Sequence, residues 1–221
     1  MDRRSFLKAL SVAAGLAVSR TGGAQPYSED YDRIASPAVP NDEVVRRVPR
    51  AKTAAPTQIV RGESTVGGWS LEGLPSMPLW MRRGKDTYQF DAASPDGYRA
   101  AMWLLRDVQA GRMGYPHPKL LEILSFAQSW LAANSFHSLF DATSGLRVRA
   151  TNNRTEGAAQ SSLHLPTPEG WFFATDFRAQ GLDAPYTAKL MELVGMGGVG
   201  LYWQRDFVHA DVGRVRRWQG K

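Results

Sequence analysis

The chain has 221 residues, 43% of them hydrophobic, and its 27 Lys and Arg against 21 Asp and Glu give a net charge of +6. That length is long for one small domain and short for two, so one domain with an export segment and a tail is expected. No cysteine occurs, which excludes disulfides and thiolate metal sites and leaves any metal to His, Asp or Glu.

Residues 1–24 read as a signal peptide. Arg3 and Arg4, followed by Phe6-Leu7-Lys8, precede an apolar run from Ala9 to Val18, and Gly22-Gly23-Ala24 offers small residues for cleavage. The run is too short to span a bilayer, and the paired arginines resemble a twin-arginine export signal. A periplasmic or otherwise exported protein, with no transmembrane span after signal removal, is expected. Cleavage would take away Arg3, Arg4, Lys8 and Arg20 together with Asp2, leaving a net charge of +3. So mild a balance suits an anionic cell-wall polymer at least as well as nucleic acid, and no aromatic-basic repeat supports nucleic acid as a partner.

Residues 25–84 are rich in Pro, Gly, Ala and charge and read as a flexible or wrapping tail, on which Trp69 and Trp80 are anchors or ligand contacts. The folded domain is expected over 85–221. Lys85 to Asp91 alternates as an edge strand would. Ser94-Pro95-Asp96 starts a first helix that ends before Gly111, and Pro118 opens a second whose apolar stripe runs to about Asn134. Beyond Phe136 the pattern turns to short strand-like pieces. Thr143 to Arg147 is extended and broken by Gly145, Asn152-Asn153-Arg154 marks a polar loop, and Ser161 to Leu165 is a strand bearing His164. A turn over Pro166 to Gly170 leads into Trp171 to Phe177, the strongest strand, and a third helix runs from Tyr186 to about Val194. These pieces make an α+β domain, with helices packed on a small antiparallel sheet.

Near the C-terminus, the run from Arg205 to Gly213 places His209 between Asp206 and Asp211 inside a short apolar stretch, as in a half-buried strand. Either His209 is a core histidine between two solvated acids, or the run supplies a metal site, for which His164 and Asp176 upstream complete a set of two His and one carboxylate. Strand alternation puts Asp211 on the face of His209, whereas Asp206 needs a bulge or turn to reach it.

Six motifs occur in order: Trp103 to Asp107, Thr143 to Arg147, Ser162-Leu163-His164, Ala174 to Phe177, Gly197 to Tyr202 and Phe207 to Gly213. Together they resemble the YcbK-like branch of the zinc D-Ala-D-Ala peptidases, a superfamily of murein endopeptidases and carboxypeptidases with a Hedgehog-like fold, over about residues 95–218. The resemblance implies zinc held by His164, Asp176 and His209. It implies that Arg147 binds the peptide carbonyl or terminal carboxylate and that Asp206 is the general base. Asp211 is kept as a ligand-orienting residue or alternative base, and Ser162 as its counterpart beside His164. The pattern departs from the family in that Asp176 follows His164 by twelve residues, with Pro166 to Gly170 intervening. The implied activity is hydrolysis of D-amino-acid peptide stems or cross-links of peptidoglycan. The alternative is a catalytically degenerate module that binds cell-wall peptides.

Overall fold

The computed structural model describes residues 73–220 and, before them, three two-residue strands at Arg46–Arg47, Thr65–Val66 and Trp69–Ser70. The expected export signal, residues 1–24, and most of the expected tail lie outside the described residues. Arg46–Arg47 pairs antiparallel with Arg112–Met113.

A seven-stranded sheet organises the domain. In chain order its strands are β1 (Pro78–Arg83), β2 (Asp86–Asp91), β3 (Phe140–Ser144), β4 (Ala174–Ala179), β5 (Gly198–Tyr202), β6 (Phe207–Asp211) and β7 (Arg216–Gln219). Across the sheet they run β7-β5-β6-β4-β3-β1-β2. The expected antiparallel sheet is in fact mixed, because β1 lies parallel to β3 and β7 parallel to β5. The domain also starts earlier than residue 85. Met77, Leu79 and Met81 are buried, and Pro78–Arg83 hairpins with β2, so this part of the expected tail belongs to the sheet.

Among the described residues four helices accompany the sheet: α1 (Pro95–Leu104), α2 (Pro118–Ala133), α3 (Arg149–Arg154) and α4 (Ala184–Val194). Each of the three longer ones starts on a side-chain cap that accepts an orphan backbone N–H. Ser94 Oγ takes Gly97 N at 3.1 Å, His117 Nδ1 takes Lys119 N at 3.3 Å, and Asp183 Oδ1 takes Tyr186 N at 2.9 Å. Gly195, at φ 71°, closes α4 in the left-handed region. Helix α3 replaces the polar loop expected at Asn152-Asn153-Arg154: Asn152 is buried, and its Nδ2 donates to Ala159 O at 3.0 Å, so polarity there serves an internal contact. No helix among the described residues is long and apolar enough to cross a membrane.

Helices α2 and α4 pack on one face of the sheet, over Leu79, Phe140, Phe177, Val208 and Ala210. Burying a large apolar side chain contributes roughly 1.5–3 kcal/mol, and this core offsets the cost of holding polar groups on the opposite face. Because side chains alternate, Val208 and Ala210 face the helices while Phe207, His209 and Asp211 face away. The sheet thus has an apolar face that folds the domain and a second face available for chemistry.

Candidate metal centre

His209 is central in β6, and Asp176 on β4 is its direct antiparallel partner. Cross-strand partners stand about 4.5–5.5 Å apart at Cβ, so this register alone brings the imidazole and the carboxylate together. Next to the pair, the β3–β4 register slips between Asp176 and Phe177, leaving Thr143 as an extra residue. Such a bulge bends the strand end and re-aims the residues beyond it, here Ser144, Gly145 and Arg147.

His164 does not come from a strand, as the sequence suggests, but from a turn in which Leu165 N donates to Ser162 O at 3.0 Å. The backbone around it is claimed on both sides. Arg147 N donates to His164 O, and Phe173 N donates to Leu163 O, each at 2.9 Å. The second bond also explains why the long expected strand divides at Phe173 into Trp171–Phe172 and β4. The additional residues between His164 and Asp176 close a turn of their own, with Thr167 N on Trp171 O at 2.8 Å, and Trp171–Phe172 pairs with Tyr115–Pro116. The inserted loop is therefore absorbed away from the two side chains it separates.

The three side chains converge. His164 Nε2 lies 3.2 Å from Asp176 Oδ1 and 3.2 Å from His209 Nδ1, and His209 Nδ1 lies 2.9 Å from Asp176 Oδ1. Each imidazole is oriented by its other nitrogen. His164 Nδ1 donates to Gly145 O at 2.5 Å, and His209 Nε2 donates to Asp211 Oδ2 at 2.9 Å. When both imidazoles are neutral, the nitrogens facing inward carry lone pairs and with Asp176 Oδ1 make three acceptors pointing at one another; a protonated His209 instead donates from Nδ1 to Asp176. A metal cation at the centre would take the place of that proton and satisfy all three. Tetrahedral coordination at about 2.0–2.2 Å separates ligand atoms by about 3.3–3.6 Å, a few tenths of an ångström beyond the 2.9 to 3.2 Å found. The cluster can hold a metal ion.

Its surroundings are fixed by further contacts. Gly145 is required because a Cβ would stand 2.3 Å from Leu105 O, so the carbonyl that orients His164 depends on this close backbone approach. Asp211 is fully buried and every lone pair it can offer is engaged. Gly198 N, Gly213 N and Arg216 Nη1 donate to Oδ1 at 2.9, 2.9 and 3.0 Å, and Arg216 Nη2 donates to Oδ2 at 2.7 Å. Trp218 packs against His209 with ring centroids 5.1 Å apart, and a Cβ on Gly200 would meet the Trp218 ring at 2.5 Å.

The electrostatics follow from burial and these partners. Burial alone would push the Asp176 carboxyl up, but His164 and then His209 hold it well below the usual carboxylate range. Burial keeps His164 below its ordinary value despite Asp176. For His209 burial works downward too, yet hydrogen bonds to Asp176 and Asp211 raise it to about 9. Burial opposes the charge on Asp211, and His209 and Arg216 overcome it, so Asp211 is lowered.

Not every residue singled out in the sequence meets the cluster. Arg147 does: Nη2 pairs with Asp176 Oδ2, and Nε donates to Ser144 Oγ at 2.8 Å. Ser162 Oγ accepts the backbone N–H of His164 at 3.3 Å, a contact with the main chain and not with the imidazole. Asp206 occupies the left-handed region at φ 49°, after the 3-10 turn Trp203–Arg205, with its side chain 66% exposed and Oδ2 3.9 Å from Arg178 Nε. Among the described residues no hydrogen bond or ion pair joins it to the three clustered side chains. Arg216 escaped sequence reasoning altogether. Its only local signal is a basic residue shortly after Gly213, and nothing local says that it folds back on Asp211.

The cluster floors a cleft of about 310 Å³ whose lining includes Glu156, Ser161, Tyr202, Arg205, Phe207 and Trp218. Tyr202 stacks on Phe207 with centroids 4.5 Å apart and accepts Trp218 Nε1 at 3.2 Å, giving one aromatic wall.

Comparison with known proteins gives the chain a family. The family model described as peptidase M15 matches residues 101–211, an interval that contains the three clustered side chains and also Arg147, Ser162, Asp206 and Asp211. Over 131 residues the chain is 28% identical to the probable peptidoglycan L,D-endopeptidase MepK of Haemophilus influenzae, covering 58% of this chain and 67% of that protein. Over 117 residues it is 32% identical to the peptidoglycan L,D-endopeptidase MepK of Escherichia coli K12, covering 51% of this chain and 60% of that one. No solved structure gives a significant match. With half of its length matched, across the segment that builds the cluster, the chain belongs to the peptidase M15 family.

Proposed function

We propose that the protein is an exported zinc peptidase that hydrolyses D-amino-acid-containing peptides in the stems or cross-links of peptidoglycan. Family membership and relatives named as peptidoglycan L,D-endopeptidases support the reading. The observation that carries it is the set of three acceptors converging from His164, Asp176 and His209. Two imidazoles and one carboxylate form a donor set that suits catalytic zinc and leaves a position for water or substrate. Zinc held by His164, Asp176 and His209 would supply Lewis acidity and the means to activate water at neutral pH.

The chain's own residues do the remaining work. Asp211, clamped by Arg216, holds His209 with Nδ1 inward, and the Gly145 carbonyl does the same for His164 Nε2. Outer partners of this kind fix the tautomer and raise ligand basicity. Arg147, which lines the cleft beside Asp176, would stabilise negative charge developing on the carbonyl oxygen of a bound peptide. Asp211 is unsuited to accept a proton because both its oxygens are engaged. Asp206 remains the proposed base; it would have to leave Arg178 to serve.

Digestion of purified peptidoglycan, with fragments read by mass spectrometry, tests the proposal. Chelator-sensitive release of D-amino-acid-containing peptides is expected, and peptidoglycan left intact by zinc-loaded protein contradicts it.

A further inference from the structure

The cleft has a second arm. A cavity of about 340 Å³ lies on the Arg147 side and shares Arg147, Asp176, Arg205 and Phe207 with the first, so the two meet over the cluster. Their linings differ in kind. Arg147 and Arg205 line both; the first arm adds Arg216 and the Tyr202 and Trp218 wall, whereas the second adds Arg83 and Arg178 beside Asp107 and has no aromatic wall of that kind.

Accounting for partners leaves positive charge over. Arg147 pairs with Asp176, and Arg178 pairs with Asp206 at 3.9 Å. Asp107 accepts Val148 N at 2.9 Å and Ala110 N at 3.0 Å and keeps its charge, so the four guanidinium groups exceed the carboxylates of Asp107, Asp176 and Asp206 by one. Arg83 and Arg205 form no ion pair with a carboxylate among the described residues. Both are nonetheless held in place. Arg83 Nη1 donates to Leu104 O at 3.2 Å and to Arg106 O at 2.9 Å, and the Arg205 guanidinium lies 5.0 Å from the Phe207 ring centre. Burial, followed by the charge of Arg106, lowers Arg83 to about 10 against the opposing pull of Asp107 and Asp176, so it stays cationic at neutral pH. Guanidinium forks match carboxylates geometrically, and such bonds strengthen where water is partly excluded.

Resting on the peptidase reading, we propose that this arm is a carboxylate subsite in which Arg83 and Arg205 receive an acidic group of the peptide substrate on one side of the scissile bond. A free terminal carboxyl and an acidic side chain offer the same chemistry. Arg147 stays with Asp176 and the reacting carbonyl and is not the main carboxylate anchor.

Calorimetry with the full-length zinc-loaded protein tests this, using D-amino-acid peptides with N-methylated backbone amides that resist cleavage. One pair differs only in a C-terminal carboxylate or carboxamide, and the other only in a D-glutamate or D-glutamine side chain. A charge-assisted hydrogen bond contributes about 1.5–3 kcal/mol, so the acid of at least one pair should bind at least about tenfold more tightly than its amide. The pair that discriminates identifies the source of the carboxylate. Arg205→Gln, at the surface, and Arg83→Gln, if it folds, should each reduce that ratio severalfold. Equal binding of acid and amide in both pairs, or a ratio unchanged by Arg205→Gln, overturns the subsite. Its failure is separable from that of the peptidase reading. An acid preference without cleavage of ordinary peptides sinks the enzyme and keeps the subsite, while chelator-sensitive cleavage without acid preference does the reverse.

Discussion

Asp176 and His209 are cross-strand partners on β4 and β6, and this register leaves Asp176 Oδ1 2.9 Å from His209 Nδ1. A one-residue slip of either strand would send one of the two into the apolar core. The same hydrogen-bond ladder that builds the sheet therefore builds two thirds of the proposed ligand set.

The contacts behind His209 give the first prediction. Asp211→Asn keeps the shape but loses the charge that draws the Nε2 proton outward, and Arg216→Gln frees Asp211 from its bidentate partner. Each should weaken zinc binding by about ten- to a hundredfold, read by competition against a chromogenic chelator. Arg216→Lys should recover part of the loss. Unaltered affinity in both Asp211→Asn and Arg216→Gln would show that the Asp211 clamp does not tune the site.

Asp206 and Glu156 can be separated by kinetics. If Asp206 accepts the proton, Asp206→Asn should retain its metal and lose at least about a hundredfold in kcat. Glu156→Gln, in a residue that lines the cleft, should then cost little. The reverse pattern would transfer the role to Glu156 and leave Asp206 as a surface partner of Arg178.

His117 supplies a prediction about stability. Burial, with a smaller contribution from Lys119, lowers its pKa to about 4, against 6.5 for the free side chain. The unfolded chain thus binds more protons than the folded one between those values, and stability must fall as pH drops through that window. One group shifted this far accounts for up to about 3 kcal/mol. His117→Asn retains a capping side chain for α2 and should flatten the urea midpoint between pH 7 and pH 4.5. An equal acid loss in the variant would place the effect elsewhere.

Legibility in the sequence tracks the range of the interactions. The starts of α1 and α2 were legible because Ser94, Pro95 and Pro118 act on the first helical turn beside them. The sheet was less so. Nothing near Pro78–Arg83 announces that it lies parallel to β3, more than fifty residues later in the chain. Likewise, His164 sits in an alternating stretch that resembles a strand, but the partners of its backbone, Arg147 and Phe173, impose a turn. Residue types brought Asp176, His164 and His209 to notice. The carbonyl of Gly145 and the guanidinium of Arg216, which orient them, carry no local mark.

Export is tested independently of chemistry. Arg3→Lys combined with Arg4→Lys keeps the charge and removes only the proposed arginine pair, so it should block appearance of processed protein outside the cytoplasm. Undiminished export of the double variant would mean that the pair is not read as a twin-arginine signal.

Metal analysis of the purified protein, kept from chelators throughout, bears most directly on the proposed zinc centre. About one zinc per chain is expected in the parent and in a variant of the exposed His137 outside the cluster, His137→Ala, with sharp loss in His164→Ala, Asp176→Ala and His209→Ala, since each removes one of three ligands. A parent that takes up no zinc, or a His164→Ala variant that binds it as tightly as the parent, would contradict the account.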